Sequence, residues 1–191
     1  MIELEREFTY LLNELPDDLG DFPSKIIEDL YVPASSAHPV TRIRRNGDKY
    51  VITKKHPVDS TDGGLSGDSS RQVEHTIELS ESEYKALASL KGKYFKKRRV
   101  YYEADNYEAE VDIYLDRLSG LVTVDFEFKN DDDMKKFQKP DFAGADVTQE
   151  LIIAGGMLCG KSYEDIGESL KNKYDYDPVE GVEKFSDEVA S

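Results

Sequence analysis

The chain has 191 residues, with 25 Lys and Arg against 40 Asp and Glu, for a formal charge of −15. That length suits one domain, or a domain with a tail, with enough chain to bury a core, and 12 Tyr and 8 Phe argue against wholesale disorder. So acidic a surface repels a duplex phosphate backbone, apolar stretches such as 151–154 are too short to cross a bilayer, and a single cysteine, Cys159, excludes an internal disulfide or a thiolate cluster for zinc.

The first residues, Met1-Ile2-Glu3-Leu4-Glu5-Arg6-Glu7, carry acids where a signal peptide needs a basic region followed by an apolar one. The expected setting is a reducing cytoplasm. Strand patterns, alternating or rich in β-branched and aromatic residues, cover 2–8, 41–45, 49–55, 73–79, 95–102, 107–115 and 121–128. Residues 11–30 read only as an acidic stretch. Asn46-Gly47 marks a two-residue hairpin between the second and third strands. Residues 56–70, rich in Gly, Ser and Asp, read as a long mobile loop. Ser80 and Glu83 form a capping box that opens a helix to about Leu90. The run 91–99 is strongly basic, and taken alone it reads as an exposed strand edge kept soluble by lysine. Asn130 before three Asp starts a short helix ending near Pro140. Two further helices are expected over 148–159 and 162–171, split by Gly160. The acidic stretch 174–191 is expected to be a loosely held or disordered tail following a domain over 1–173.

Side-chain parity sorts each strand into an apolar and a charged face. Glu3, Glu5 and Glu7 share one face, as do Arg42 and Arg44; Lys97, Arg99 and Tyr101; Glu110, Asp112 and Tyr114; and Asp125 and Glu127. An open antiparallel sheet with one wet side would leave these charges merely solvated. Their segregation by sign, strand by strand, weakens that reading, and if the sheet closes into a barrel with helices outside, acidic and basic strands face one another across an interior. Carboxylates on alternate residues of a strand stand about 7 Å apart. Hard divalent cations such as Mg²⁺ take such oxygens and keep open positions for phosphate and water, while Arg and Lys neutralise the remaining phosphate charge.

These blocks resemble the CYTH, or triphosphate tunnel metalloenzyme, superfamily over residues 1–161. Glu3-Leu4-Glu5-Arg6-Glu7-Phe8 is similar to its E-x-E-x-K strand, with Glu7 in place of the Lys. Thr41-Arg42-Ile43-Arg44 with Lys54-Lys55 resembles its R-x-R hairpin ending in Lys. Lys97-Arg98-Arg99, Asp112-Ile113-Tyr114 and Asp125-Phe126-Glu127-Phe128 resemble its K-x-R, D-x-[FY] and E-x-E-F blocks, and residues 140–148 its P…G-x-[ED]-V-T turn. Thr76 stands where a pair beginning at Glu74 would have a second acid.

The resemblance implies an α+β fold, a closed eight-stranded antiparallel β-barrel tunnel with flanking helices. It implies Mg²⁺ or Mn²⁺ held by Glu3, Glu5, Asp125 and Glu127, with Glu74 and Asp112 as further ligands. Phosphates would be held by Arg42, Arg44, Lys55, Lys97 and Arg99, and catalytic roles would fall to Glu5, Lys55 and Glu127. The leading expectation is a metal-dependent triphosphatase acting on inorganic triphosphate, since no base-recognition feature is evident. Nucleoside triphosphates, class IV adenylyl cyclase activity and thiamine triphosphatase activity are the related alternatives. A non-catalytic nucleotide- or polyphosphate-binding module, motivated by Glu7 and Thr76, is the alternative of another class.

Three smaller features are read as structural. His38 and His56 each precede Pro in loops, and His75 has the parity opposite Glu74. Residues 155–162 match G-x-x-x-x-G-K-[ST] letter for letter, but without the preceding parallel strand that a phosphate loop requires. Cys159 reads as a small buried apolar residue.

Overall fold

The structure is a computed structural model that describes residues 1–60, 67–104 and 107–186. Eight strands close into one antiparallel barrel: β1 (Ile2–Leu11), β2 (Ser24–Val32), β3 (Thr41–Asn46), β4 (Lys49–Pro57), β5 (Arg71–Leu79), β6 (Lys93–Ala104), β7 (Tyr107–Tyr114) and β8 (Val122–Glu127). The order around the wall is β1-β5-β4-β3-β2-β6-β7-β8, and β8 pairs back onto β1. All seven expected strands form. The hairpin between β3 and β4 pairs Asn46 with Lys49, so its two-residue loop is Gly47-Asp48, and Gly47 takes a positive φ of 58° that a side chain would disfavour.

Four expectations are corrected. The first is the missing stave: β2 lies mostly within the stretch read only as acidic, Glu28 and Asp29 there interrupting the apolar run Ile26, Ile27, Leu30, Tyr31 and Val32. The second is the basic run as a sheet edge. Pairing of β6 with β2 and β7 leaves no edge there, and Lys97 is 6% exposed. The third is the helix over 148–159, which is replaced by a 3₁₀ turn at Leu151–Ile153 and a single helical turn, α3 (Gly155–Leu158). Gly155 and Gly156 are poor helix formers, and both pack against neighbours too close to admit a side chain.

The fourth is the acidic tail. Residues 174–186 pack against the barrel, with Tyr176, Val179 and Val182 buried. The Tyr176 hydroxyl accepts from Val122 N at 2.9 Å and donates to Gly120 O at 3.1 Å, and Arg98 donates to the Phe185 and Ser186 carbonyls. The periodic apolar residues, masked by the acids between them, supply the burial. Residues 61–66 of the expected loop and 187–191 of the tail lie outside the described residues.

The apolar core sits outside the barrel wall. Outward residues Val100, Val111, Ile113, Val124 and Phe126 pack with Leu118, Leu121 and Tyr176, and with Ile166 and Leu170 of α4 (Glu164–Tyr174). α2 (Asp131–Lys136) is capped by the Asn130 side chain, which accepts from the Asp132 and Asp133 amides. Beside it Phe8, Tyr10, Phe126, Phe128 and Phe137 form an aromatic cluster with centroids 4.8–6.2 Å apart. α1 (Glu81–Ala88) keeps its capping box and stacks Tyr84 on Tyr50. With the apolar contacts thus met outside, the interior is free to be polar. No helix among the described residues is long and apolar enough to cross a membrane.

Candidate active site

The alternation that buries apolar residues outside turns the charged faces into one interior cavity of about 480 Å³. Its wall includes Glu5 and Glu7 from β1, Asp29 and Tyr31 from β2, Arg42 and Arg44 from β3, and Lys55 from β4. Glu74 from β5, Lys97 and Arg99 from β6, Asp112 from β7, and Asp125 and Glu127 from β8 complete it. Every expected site residue except Glu3 therefore lines one cavity. Glu3 shares the strand face of Glu5 but is exposed and stands off the cavity wall.

On the basic side, most cations are already engaged by acids. Arg44 grips Asp29 through two hydrogen bonds of 2.7 Å, and Asp29 has no solvent exposure. Burial alone would push the Asp29 carboxyl up, but the Arg44 charge and hydrogen bonds hold it below the usual value. Arg99 donates to both oxygens of Asp112 at 2.7 and 2.6 Å and also pairs with Glu110 and Asp125, while Lys97 shares the Oδ2 of Asp112. Against the desolvation of burial, these cations keep Asp112 well below the ordinary carboxylate range, whereas burial lowers Lys97. Asp112 thus has both oxygens committed to holding Lys97 and Arg99, a different task from the metal ligation expected of it. Arg42 differs from its neighbours. Its one carboxylate contact, to Glu74, is long at 3.4 Å, and its buried Nε makes no hydrogen bond.

On the acidic side, Lys55 lies between Glu5 and Glu7, 2.6 Å from the latter. Although burial works against its charge, Glu7 and Glu5 raise its pKa. Strand register then sets like charges side by side, with Glu7 opposite Glu127 and Glu110 opposite Asp125. Burial, reinforced by Asp112 and Glu7, pushes the Asp125 carboxyl up to about 7. Burial with Glu110, Glu5 and Glu7 does the same for Glu127. Carboxylates raised by burial and then by one another's fields are short of positive charge. Their hard oxygens are the donor chemistry that Mg²⁺ or Mn²⁺ prefers, so the residues fit such an ion chemically. As they stand, no three His, Cys, Asp or Glu side chains among the described residues are gathered closely enough to enclose one. Thr76, in the place of a second acid, donates to Glu74 at 2.5 Å and shares a 3.0 Å hydrogen bond with Thr53.

The cavity is bounded further by residues 38–40, 147–151 and 153–156. A Cβ on Gly155 would fall 2.2 Å from the Tyr31 hydroxyl, and one on Gly156 would fall 2.2 Å from Pro39 O. The phosphate-loop lookalike is therefore a close-packed turn against an antiparallel barrel. Gln149 donates to Asp68 at 2.8 Å and accepts from Ser69 N at 3.1 Å, joining two cavity-lining segments. His38, read as structural, lines the cavity with a buried Nδ1 that has no hydrogen-bond partner; His56 and His75 stack on each other 6.0 Å apart. Asp29 and Tyr31 were missed with their strand. Glu110, on the strand face of Asp112, pairs with Arg99 but does not line the cavity.

No family model matches the chain. An inorganic triphosphatase of Nitrosomonas europaea is 28% identical over 152 residues, spanning 78% of this chain and 91% of that protein. Among solved structures, the crystal structure of the inorganic triphosphatase NE1496 aligns with a TM-score of 0.57 at 22% identity, covering 82% of this chain and 95% of that one. A second crystal structure of NE1496 gives the same score and identity over 83% and 99%. Eight antiparallel strands closed around a charged tunnel, the similarity in sequence to an inorganic triphosphatase and the same fold in that crystal structure agree with the resemblance to the CYTH, or triphosphate tunnel metalloenzyme, superfamily.

Proposed function

We propose that the chain is a metal-dependent hydrolase of triphosphates, with inorganic triphosphate as its substrate and the cytoplasm as its setting. The observation that carries this reading is the convergence of Arg42, Arg44, Lys55, Lys97 and Arg99 on the same cavity as an under-neutralised set of carboxylates. The similarity to an inorganic triphosphatase supports it.

Glu5, Asp125 and Glu127, with Glu74 beside them, would hold Mg²⁺ or Mn²⁺, which when bound supplies Lewis acidity towards phosphate oxygens. Arg42, with donors to spare, takes a phosphate first. Arg44, Lys97 and Arg99 present charge fixed by Asp29 and Asp112, so little reorganisation is needed as negative charge grows on the leaving group. Asp112 acts as a positioning residue. A water oxygen bonds to a terminal phosphorus as the bridging P–O bond breaks. Glu127 receives the water proton on a carboxylate oxygen, and Lys55 donates hydrogen bonds to the departing pyrophosphate.

One observation favours the second reading, a binding module without turnover: Lys55 is engaged by both Glu5 and Glu7. Phosphate release from inorganic triphosphate, ATP and thiamine triphosphate, with Mg²⁺ or Mn²⁺ and with a chelator, separates the two. Metal-dependent release from inorganic triphosphate is expected. No release from any substrate, combined with a triphosphate-induced rise in melting temperature, would replace the enzyme with the binding module.

A further inference from the structure

The inward face of β1 carries an acid, Glu7, at a point where its side chain meets the only cation that β4 sends into the cavity. Lys55 Nζ is 2.6 Å from a Glu7 oxygen and is paired at the same time with Glu5. Register places Lys55 opposite Glu74 and Glu7 opposite Glu127, so two further carboxylates lie within the neighbourhood of that one ammonium. The ammonium has three donors. One donates to Glu7 while the same charge is ion-paired with Glu5, and among the described residues no arginine forms a salt bridge with either acid. A triphosphate entering the cavity must therefore compete with Glu7 for Lys55.

Resting on the triphosphatase reading, we propose that Glu7 is a specificity-determining residue that withholds Lys55 from bare polyphosphate. It makes the tunnel select the metal complex of its substrate. A divalent cation held by Glu5, Asp125 and Glu127 would take over as the positive partner of these acids and of the neighbouring Glu7, and Lys55 would be released to phosphate. Cation and triphosphate then promote each other's binding, as linkage requires of two ligands that compete with the same internal pair. Neither the relative's activity nor the fold implies this coupling, since it depends on the acid at position 7 of this chain.

The test is calorimetric binding of inorganic triphosphate in chelator and in Mg²⁺, run as a double-mutant cycle of Glu7→Gln and Lys55→Met. In chelator, Glu7→Gln should tighten triphosphate binding about tenfold in the wild-type background, the scale of one charge-assisted contact regained, and by less than about threefold in the Lys55→Met background. In Mg²⁺ the gain from Glu7→Gln should shrink, because the cation has already freed Lys55. Glu7→Asp, which keeps the charge but shortens its reach, should fall between wild type and Glu7→Gln. Equal gains in both backgrounds would mean that Glu7 only repels the anion, and the proposal would be overturned. So would an unchanged affinity in chelator. If the wild-type chain binds no triphosphate even with Mg²⁺, the triphosphatase reading itself fails, an outcome distinct from failure of the cycle.

Discussion

Arg42 and Arg44 lie two residues apart on one face of β3, yet their loss should have opposite consequences. In Arg44→Ala, Asp29 keeps its complete burial and loses both 2.7 Å hydrogen bonds. Removing one partner of a buried ion pair costs about 3–5 kcal/mol, because the other charge is left uncompensated. At roughly 2–4 °C per kcal/mol for a chain of this size, the melting temperature should fall by about 6–20 °C. In Arg42→Ala the 3.4 Å contact to Glu74 and a side-chain hydrogen bond with Tyr31 are lost. Stability should fall less than in Arg44→Ala, by about 1–2 kcal/mol, while affinity for magnesium triphosphate should fall by about 1.5–3 kcal/mol, roughly 10- to 150-fold. Thermal unfolding and calorimetry on both variants check this. An Arg44→Ala protein that melts within 2–3 °C of wild type would refute the reasoning, as would an Arg42→Ala protein that loses stability but no affinity.

Two other measurements probe different parts of the molecule. The raised carboxyls of Asp125 and Glu127 hold protons in the native state between about pH 4, where unfolded carboxylates titrate, and about 7. The unfolded chain has released those protons across this window, so stability should fall as pH rises through it. Melting temperature in chelator should decline from pH 5 to 7, and Mg²⁺ should recover part of the loss at pH 7; a flat or rising profile in chelator would count against crowded acids. Tyr176→Phe should cost about 1–3 kcal/mol by leaving the Val122 amide buried without a partner and should speed proteolysis near the C-terminus. An unaltered protein would show that this segment is held by other contacts.

The barrel was readable because period-two alternation is its own evidence: each expected strand announces one face for the outer core and one for the tunnel. Alternation failed for β2, where Glu28 and Asp29 stand next to each other and only one of them turns inward. The same limit explains the C-terminal segment, where burial depends on Tyr176, Val179 and Val182 meeting a surface contributed by distant strands. Parity brought the charged residues of the cavity together but could not divide their labour. That Asp112 is consumed by Lys97 and Arg99 while Arg42 stays underused depends on side-chain reach across neighbouring strands, which register alone decides. Gly155 and Gly156 look helical or phosphate-binding until the approach of Tyr31 and Pro39 is seen.

The seam between β1 and β8 also bears on how the chain reaches its native state. β1 leaves the ribosome first and β8 last among the staves, so the barrel can close only after the whole wall has been made. That non-local pairing is the kind that slows folding. It is also the event that brings Glu7 against Glu127, so the repulsion between these acids opposes ring closure rather than any earlier hairpin. A counter-ion present during folding should therefore hasten this final step more than the steps that precede it.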